Sequence, residues 1–261
     1  MQILTFTNQK GGASKTTSAW AVGHCLAHAG HKVLLVDADP QRNLTQCLPT
    51  VPSDKSLTNV LEGSLTLAQA MYPVGTNLWL VPATQTLAAA EKILGTDAMY
   101  ALVFKNALAG LDKLVDFVIF DTGPSPNSPL AMAAITASDR VFIPTTPEFF
   151  AYNGLENLLE LIKRIQKNLT PSLQVGGIFF TKYSPTYRRS LHHQFVKVMR
   201  EQPGMGPLVL DTTIRENVAV AEAQVNQQSL YEWDSGATAL ADYEKLTQEI
   251  LTRSVNGKAK N

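Results

Sequence analysis

The sequence predicts an α/β fold: a doubly wound, mostly parallel central sheet with helices on both faces. Three observations predict it. Short apolar runs such as Phe117–Phe120 recur along the chain, separated by helical segments. The runs are continuously apolar, the mark of strands buried on both faces. Several end in a carboxylate or run into a Gly-bearing turn, at the carboxyl ends where open parallel sheets bind ligands.

In order, Ile3–Thr7 reads as a strand and Lys15–Ala29 as a helix stopped by Gly30. Val33–Asp37 is a second strand, followed by a helical turn at Asn43–Leu48 and a loop bearing Pro49 and Pro52. Leu57–Glu62 and Leu67–Met71 suit short helices. Leu78–Pro82 suits a strand, and Leu87–Leu111 a helix broken near Gly95. Asp116–Asp121 is an apolar strand ending in a carboxylate. Val141–Pro144 is another strand, and Gly154–Asn168 a well-patterned helix. Val175–Thr181 reads as a strand, Tyr187–Glu201 as a helix and Leu208–Leu210 as a short strand. The last helix is Ala237–Arg253, with Leu240, Tyr243, Leu246 and Ile250 on one side. No linker divides the chain, so residues 1–255 read as one domain and 256–261 as a polar tail.

Composition narrows the function. The 261 residues carry 22 Lys+Arg and 22 Asp+Glu, a balance that excludes a histone-like polycation but not a local basic face. Two cysteines, Cys25 and Cys47, cannot build a disulfide framework or a Cys-rich metal site within one chain. The start, Met1–Gly12, lacks the basic and apolar regions of a signal peptide, and no apolar run approaches the about 18–20 residues of a spanning helix. A cytoplasmic protein is expected.

The first strand runs into Asn8-Gln9-Lys10-Gly11-Gly12-Ala13-Ser14-Lys15-Thr16-Thr17 and then a helix. Strand, Gly-bearing turn and helix start are what a phosphate site requires. Free N–H groups and the helix dipole favour the anion, and glycines let the backbone approach it. Lys15 would reach the phosphates and the Thr16 hydroxyl would ligate Mg²⁺. The pattern G-x-x-x-x-G-K-[ST] is not met, since its glycines would fall at Gln9 and Ser14. On this segment alone, a Gly-Gly turn before an amphipathic helix is an alternative. Two further segments support the phosphate reading: Asp37-Ala38-Asp39-Pro40-Gln41, and Phe117–Phe120 followed by Asp121-Thr122-Gly123-Pro124. Three strand ends can then converge on one Mg²⁺-nucleotide.

At these residues the sequence resembles the ParA/MinD group of deviant Walker ATPases, nearest to ParA/Soj partition proteins. The family's K-G-G-x-x-K-[ST] is matched by Lys10–Thr16, its D-x-D-P-Q by Asp37–Gln41, and its apolar strand with D-T-x-P by Asp116–Pro124. The resemblance continues through Pro144–Glu148, Gly154-Leu155, Thr181-Lys182-Tyr183, Thr213–Val218 and Ala221–Ala223.

The resemblance implies an ATP-dependent ATPase with Mg²⁺ as cofactor, dimerising on ATP, binding nucleoid DNA and released by a ParB-like or adaptor partner. Lys10 resembles the lysine that reaches the partner protomer's phosphates. Lys15 and Thr16 resemble the in-cis lysine and Mg²⁺ ligand. Asp39 resembles the residue that handles the attacking water, and Asp37 and Asp121 resemble Mg²⁺-shell carboxylates. Thr181, Lys182, Thr213 and Arg215 fall where relatives contact or approach the adenosine. There are departures: Ser14 replaces a common glycine, Gly123 stands where many relatives have proline, and Ile214-Arg215-Glu216-Asn217-Val218 differs from I-P-R-N-V.

Between Ala151 and Arg215 the chain holds nine basic and four acidic residues, against 13 and 18 elsewhere. Sequence-independent, salt-sensitive DNA contact is expected there, at Arg188, Arg189, Lys197 and Arg200, with Lys163, Arg164 and Lys167 behind them. A strand starting at residue 2 leaves no room for an N-terminal helix-turn-helix domain. A solvated helix face is the alternative reading for any one of these cations.

Trp20 and Cys25 read as packing residues. His24, His28 and His31 have helix-end spacing that would permit a metal, but lack an acidic partner. Phe149, Phe150 and Tyr152 suit a dimer face or the core. A MinD-like membrane-associated ATPase is an alternative, but the polar end Thr252–Asn261 opposes an amphipathic anchor. A nitrogenase-reductase-like carrier would need two well-placed cluster cysteines. An ATP-dependent metabolic enzyme on the same scaffold is a further alternative.

Overall fold

A computed structural model describes residues 1–52, 54–148 and 151–256. Phe149 and Phe150, expected at a dimer face or in the core, and the tail beyond Asn256 lie outside the described residues.

The chain begins with β1 (Gln2–Phe6), α1 (Lys15–His28), β2 (Val33–Ala38) and three short helices, α2 (Asn43–Gln46), α3 (Leu57–Leu61) and α4 (Leu67–Ala70). Next come β3 (Tyr72–Gly75), β4 (Leu78–Val81), α5 (Leu87–Leu94), α6 (Val103–Ala107), β5 (Phe117–Thr122) and α7 (Pro129–Ala137). The remainder is β6 (Arg140–Thr145), α8 (Ala151–Asn168), β7 (Gln174–Phe180), α9 (Ser190–Glu201), α10 (Val218–Val225), α11 (Leu230–Trp233) and α12 (Thr238–Asn256).

Among the described residues the strands form a seven-stranded sheet in the order β3-β4-β2-β5-β1-β6-β7, parallel except for β3 at the edge. Successive side chains point to opposite faces, so each strand feeds two cores. Val33 and Leu35 of β2 face α1 and α12, whereas Leu34 and Val36 join the cluster that holds residues of α3, α5 and α7. A third cluster packs α8 and α9 on β6 and β7. Each fully buried aliphatic or aromatic side chain contributes about 1.5–3 kcal/mol.

The helix after the Gly-rich loop is held hard against the sheet. A Cβ at Gly23 would stand 2.8 Å from Leu35 Cδ2, so only glycine permits this α1–β2 approach without repacking. Buried Trp20 and Leu26 extend the contact. The start of α1 is thereby fixed beside the carboxyl ends of β1, β2 and β5.

Several elements differ from the sequence expectation. The 87–111 helix is α5, ended at Gly95, then a 3₁₀ turn and α6. Leu208–Leu210 is not a strand: Gly206–Leu208 makes a 3₁₀ turn, and Val209 forms only an isolated bridge to Ile178. The 187–201 helix starts at Ser190, after a turn closed by the Arg189 N–H on the Tyr187 carbonyl. Helix α7 had no amphipathic signal because it is buried nearly all round. Its start is set by Pro129 and by the Ser128 hydroxyl, which accepts from the Ala131 N–H. Strand β3 escaped notice because it contains Pro73, tolerated only at an edge.

Candidate nucleotide site

The loop between β1 and α1 is anchored by Asn8. Its amide donates to the Pro144 carbonyl at 2.7 Å, and its side-chain oxygen accepts the Lys10 N–H at 3.0 Å. Gly12 turns the chain with φ +71°, and Ser14 follows at φ +65°. Ser14 therefore occupies the left-handed region where glycine is unstrained. It precedes α1 without a side-chain cap, and the first turn of α1 carries no acidic residue. The leading N–H groups and the positive end of a 14-residue helix are left available to an anion.

These groups open onto a cleft of about 700 Å³ lined by the loop from Gly11 to Thr17, by Asp39 and Pro124, and by Ala221, Gln224 and Val225 of α10. An adjoining hollow of about 410 Å³ shares Ser14, Thr17, Ala221 and Gln224 with it. Thr181, Lys182 and Arg215 line that hollow; Thr213 does not. Lys182 turns the chain at φ +55° after a bridge between Thr181 and Ile214. The Arg215 guanidinium is held by Asp242, with contacts of 2.7 and 2.9 Å, so it stands as a fixed part of the wall. The two hollows form one groove long enough to take phosphates at the α1 end and a nucleoside at the other.

Beneath the loop lies a concentration of charge. Asp37 and Asp121 are register partners on β2 and β5, and both are fully buried. Asp37 accepts the Thr45 N–H at 2.8 Å, the Thr45 hydroxyl at 2.6 Å and the Asp39 N–H at 3.2 Å. Burial still pushes its carboxyl up to about 6, with these bonds opposing. Neither oxygen of Asp121 has a hydrogen-bond partner among the described residues. Burial first, and then the Asp37 charge, raise its carboxyl well above the usual range. The Thr16 hydroxyl and Lys15 pull the other way, Thr16 without completing a hydrogen bond. Lys15 is also buried; desolvation lowers its pKa, while Asp121 and Asp39 favour its charged form. Its ammonium lies 3.4 Å from the Lys10 carbonyl. Asp39 Oδ1 accepts the Gln41 N–H at 2.9 Å, and Gly123 passes so close that a Cβ there would lie 3.2 Å from that oxygen.

An orphaned buried carboxylate beside a partly satisfied one is what a hard cation with oxygen ligands relieves. The donor set of Thr16, Asp37 and Asp121 fits Mg²⁺, and Asp121, with no bonds to lose, is the readier ligand. Asn8 and Thr146 lie in segments singled out in the sequence but were given no role there, and Thr45 and Asp242 were not singled out at all. Each acts through a contact 8 or more positions away in the chain, which no local spacing displays.

The expected DNA contacts divide. Lys163, Arg164 and Lys167 lie exposed on α8. Arg188 and Arg189 precede α9, and Lys197 lies on it. Among the described residues Lys163, Arg164, Lys167 and Arg188 form no ion pair. Arg189 lies 3.7 Å from Glu216 and Lys197 3.9 Å from Glu201. Arg200 is committed to Asp211 at 3.2 Å and the Leu210 carbonyl at 2.9 Å, which makes it the least available of the set. The three N-terminal histidines do not converge: His24 packs on Trp20, His28 stacks on Tyr231 and His31 rests on Phe117.

Comparison with known proteins places the chain in a family. Residues 1–175 match the family model described as an AAA domain. The chain is 36% identical over 254 residues to a chromosome-partitioning ATPase, Soj, of Treponema pallidum, covering 97% of this chain and 98% of that one. Among solved structures it resembles an ATP complex of McdA from Cyanothece, with 26% identity and a TM-score of 0.85, covering 97% and 96% of the two chains. It also resembles cobyrinic acid a,c-diamide synthase of Mycobacterium smegmatis with an ATP analogue and magnesium bound, at 29% identity and a TM-score of 0.82, covering 98% and 97%. Loop, paired aspartates and full-length similarity lead to one assignment: the chain belongs to the ParA/Soj family of partition ATPases.

Proposed function

We propose that the protein is an ATP-driven switch that dimerises when ATP is bound, holds non-specific DNA as a dimer, and so partitions or positions a cargo in the cytoplasm at the nucleoid. It is an ATPase of the partition family with ATP and Mg²⁺ as cofactors. A ParB-like or adaptor protein would stimulate hydrolysis, and the cargo is a plasmid, a chromosome origin or a protein assembly. The observation that carries the reading is the unpaired, buried Asp121 carboxylate beside Asp37 and Lys15, at the uncapped start of α1.

Each residue has work its position allows. The N–H groups from Gly11 to Thr17 cradle the phosphates, and Lys15 supplies a buried cation to them. Thr16, Asp37 and Asp121 hold Mg²⁺, which when bound neutralises charge developing on the phosphate oxygens. Asp39, oriented by the Gln41 N–H and backed by Gly123, accepts a hydrogen bond from the attacking water. Lys10 supplies a second cation across a dimer. Thr181, Lys182 and Arg215 border the nucleoside; Thr213 lies beside Ile214 in the same segment.

For DNA, Arg188, Arg189 and Lys197 are the leading contacts, with Lys163, Arg164 and Lys167 on the neighbouring helix and Arg200 in support. A modest cationic face on each protomer binds weakly alone, and pairing two faces multiplies affinity through effective concentration. Among the described residues no helix is long and apolar enough to cross a membrane.

Light scattering with and without ATP and Mg²⁺ tests the switch. Doubling of mass on ATP addition, reversed on hydrolysis, is expected. A mass that stays monomeric at saturating ATP contradicts it, and would favour an ATP-dependent synthase like the Mycobacterium smegmatis relative.

A further inference from the structure

The ammonium of Lys10 is already occupied. It donates to the Thr146 hydroxyl at 2.8 Å and to Glu148 Oε2 at 2.5 Å. Both acceptors follow β6, in the same connection that the Asn8 amide grips at the Pro144 carbonyl. An ammonium has three protons, so two are spent within the protomer. The Lys10 hydrogen bond is the first cause holding the Glu148 carboxyl below its usual range, so Glu148 meets Lys10 as a carboxylate at neutral pH. Lys10 is 29% and Glu148 52% exposed, which places the pair on the rim, where it can open.

We propose that Glu148 competes with the second protomer for Lys10: it retains the ammonium on its own subunit, and the ATP-bound dimer forms only as this ion pair breaks. Glu148 is thus a positioning residue that sets the ATP threshold of dimerisation. The proposal rests on the reading of Lys10 as a cross-dimer cation.

A rim ion pair biases an equilibrium by about two- to five-fold. Two such pairs open per symmetric dimer, so removing both shifts dimerisation by about 4- to 25-fold. Glu148→Gln keeps the shape and a hydrogen-bond acceptor but removes the charge. The dimer fraction of the full chain is measured by sedimentation against a non-hydrolysable ATP analogue with Mg²⁺, for wild type, Glu148→Gln, Lys10→Ala and the double variant. In parallel, the rate of Lys10 acetylation by acetic anhydride is followed by mass spectrometry without nucleotide.

Because each dimer takes up two nucleotides, the expected result is an about 2- to 5-fold lower half-saturating analogue concentration for Glu148→Gln, no such shift in the Lys10→Ala background, and Lys10 acetylation a few-fold faster in Glu148→Gln. A wild type that dimerises while Glu148→Gln is unchanged or weaker overturns the competition and leaves the dimer reading standing. A shift that persists without Lys10 also overturns it, because the charge then acts by another route. If every variant binds the analogue and none dimerises, the dimer reading and this proposal fall together.

Discussion

Asp37 and Asp121 lie side by side on β2 and β5, both fully buried, yet only Asp37 is hydrogen-bonded. The fold thus holds two carboxyl groups together with one of them unsatisfied, an arrangement that costs stability once both ionise unless a cation joins them.

For Asp121 the sign follows from its raised carboxyl. Stability is fully present below the unfolded pKa and is lost as pH rises through the folded one. Without Mg²⁺ at pH 7.5, Asp121→Asn should therefore raise the melting midpoint, by about 2–4 °C for each ~1 kcal/mol relieved. The same variant should lose the stabilisation that Mg²⁺-ATP confers on wild type. Calorimetry with and without Mg²⁺-ATP checks both; a lower midpoint in the metal-free variant would contradict the repulsion.

Lys15 is buried, which lowers its pKa, while the neighbouring Asp121 and Asp39 favour its charged form. Lys15→Ala should weaken ATP binding on the order of 100-fold, as loss of a desolvated charge partner does. Titration with a fluorescent ATP analogue measures this, and undiminished affinity would remove Lys15 from the site.

Ser14 carries a side chain at φ +65° without a compensating cap. Left-handed backbone costs a non-glycine residue about 1–2 kcal/mol, partly offset by the entropy glycine loses on folding. Ser14→Gly should stabilise the protein by about 0.5–1 kcal/mol in urea titration. Equal or lower stability would mean that the loop gains from the serine elsewhere.

How much of this was legible in sequence follows physical lines. The loop, Asp37, Asp39 and Asp121 were visible because strand ends and helix starts are local features with fixed spacing. Helix α12 was visible because Leu240, Tyr243, Leu246 and Ile250 keep a helical period against the core. Helix α7 was hidden because burial all round erases that period. Helix α10 was hidden because it turns Val218 and Val225 outward, at 71% and 82% exposure, toward the groove. The engagement of Arg200 by Asp211, and of Lys10 by Glu148, depends on side chains that meet only after folding.

His24 offers a test of the core rather than the site. Burial against Trp20 lowers its pKa to about 4, and its Nε2 has no partner among the described residues. The unfolded chain then binds the extra proton between about pH 6.5 and 4, so stability is full above 6.5 and lost as pH falls through that window. The loss is on the order of 3 kcal/mol at the acid limit. His24→Leu should flatten the fall relative to wild type in melting scans from pH 7 to 4.5. Parallel curves for the two proteins would show that His24 protonates freely.

The central claim, that nucleotide binding at the Asp37–Asp121–Lys15 site switches a DNA-binding surface, is tested most directly by one titration. Wild type and the Arg188→Glu, Arg189→Glu double variant are titrated onto random-sequence duplex DNA, with and without ATP and Mg²⁺, at several salt concentrations. Tight binding by wild type only with ATP and Mg²⁺, weakening steeply with salt, and lost in the double variant while its ATP affinity is retained, is the predicted result. Binding that ignores nucleotide, or that survives both charge reversals, would contradict it.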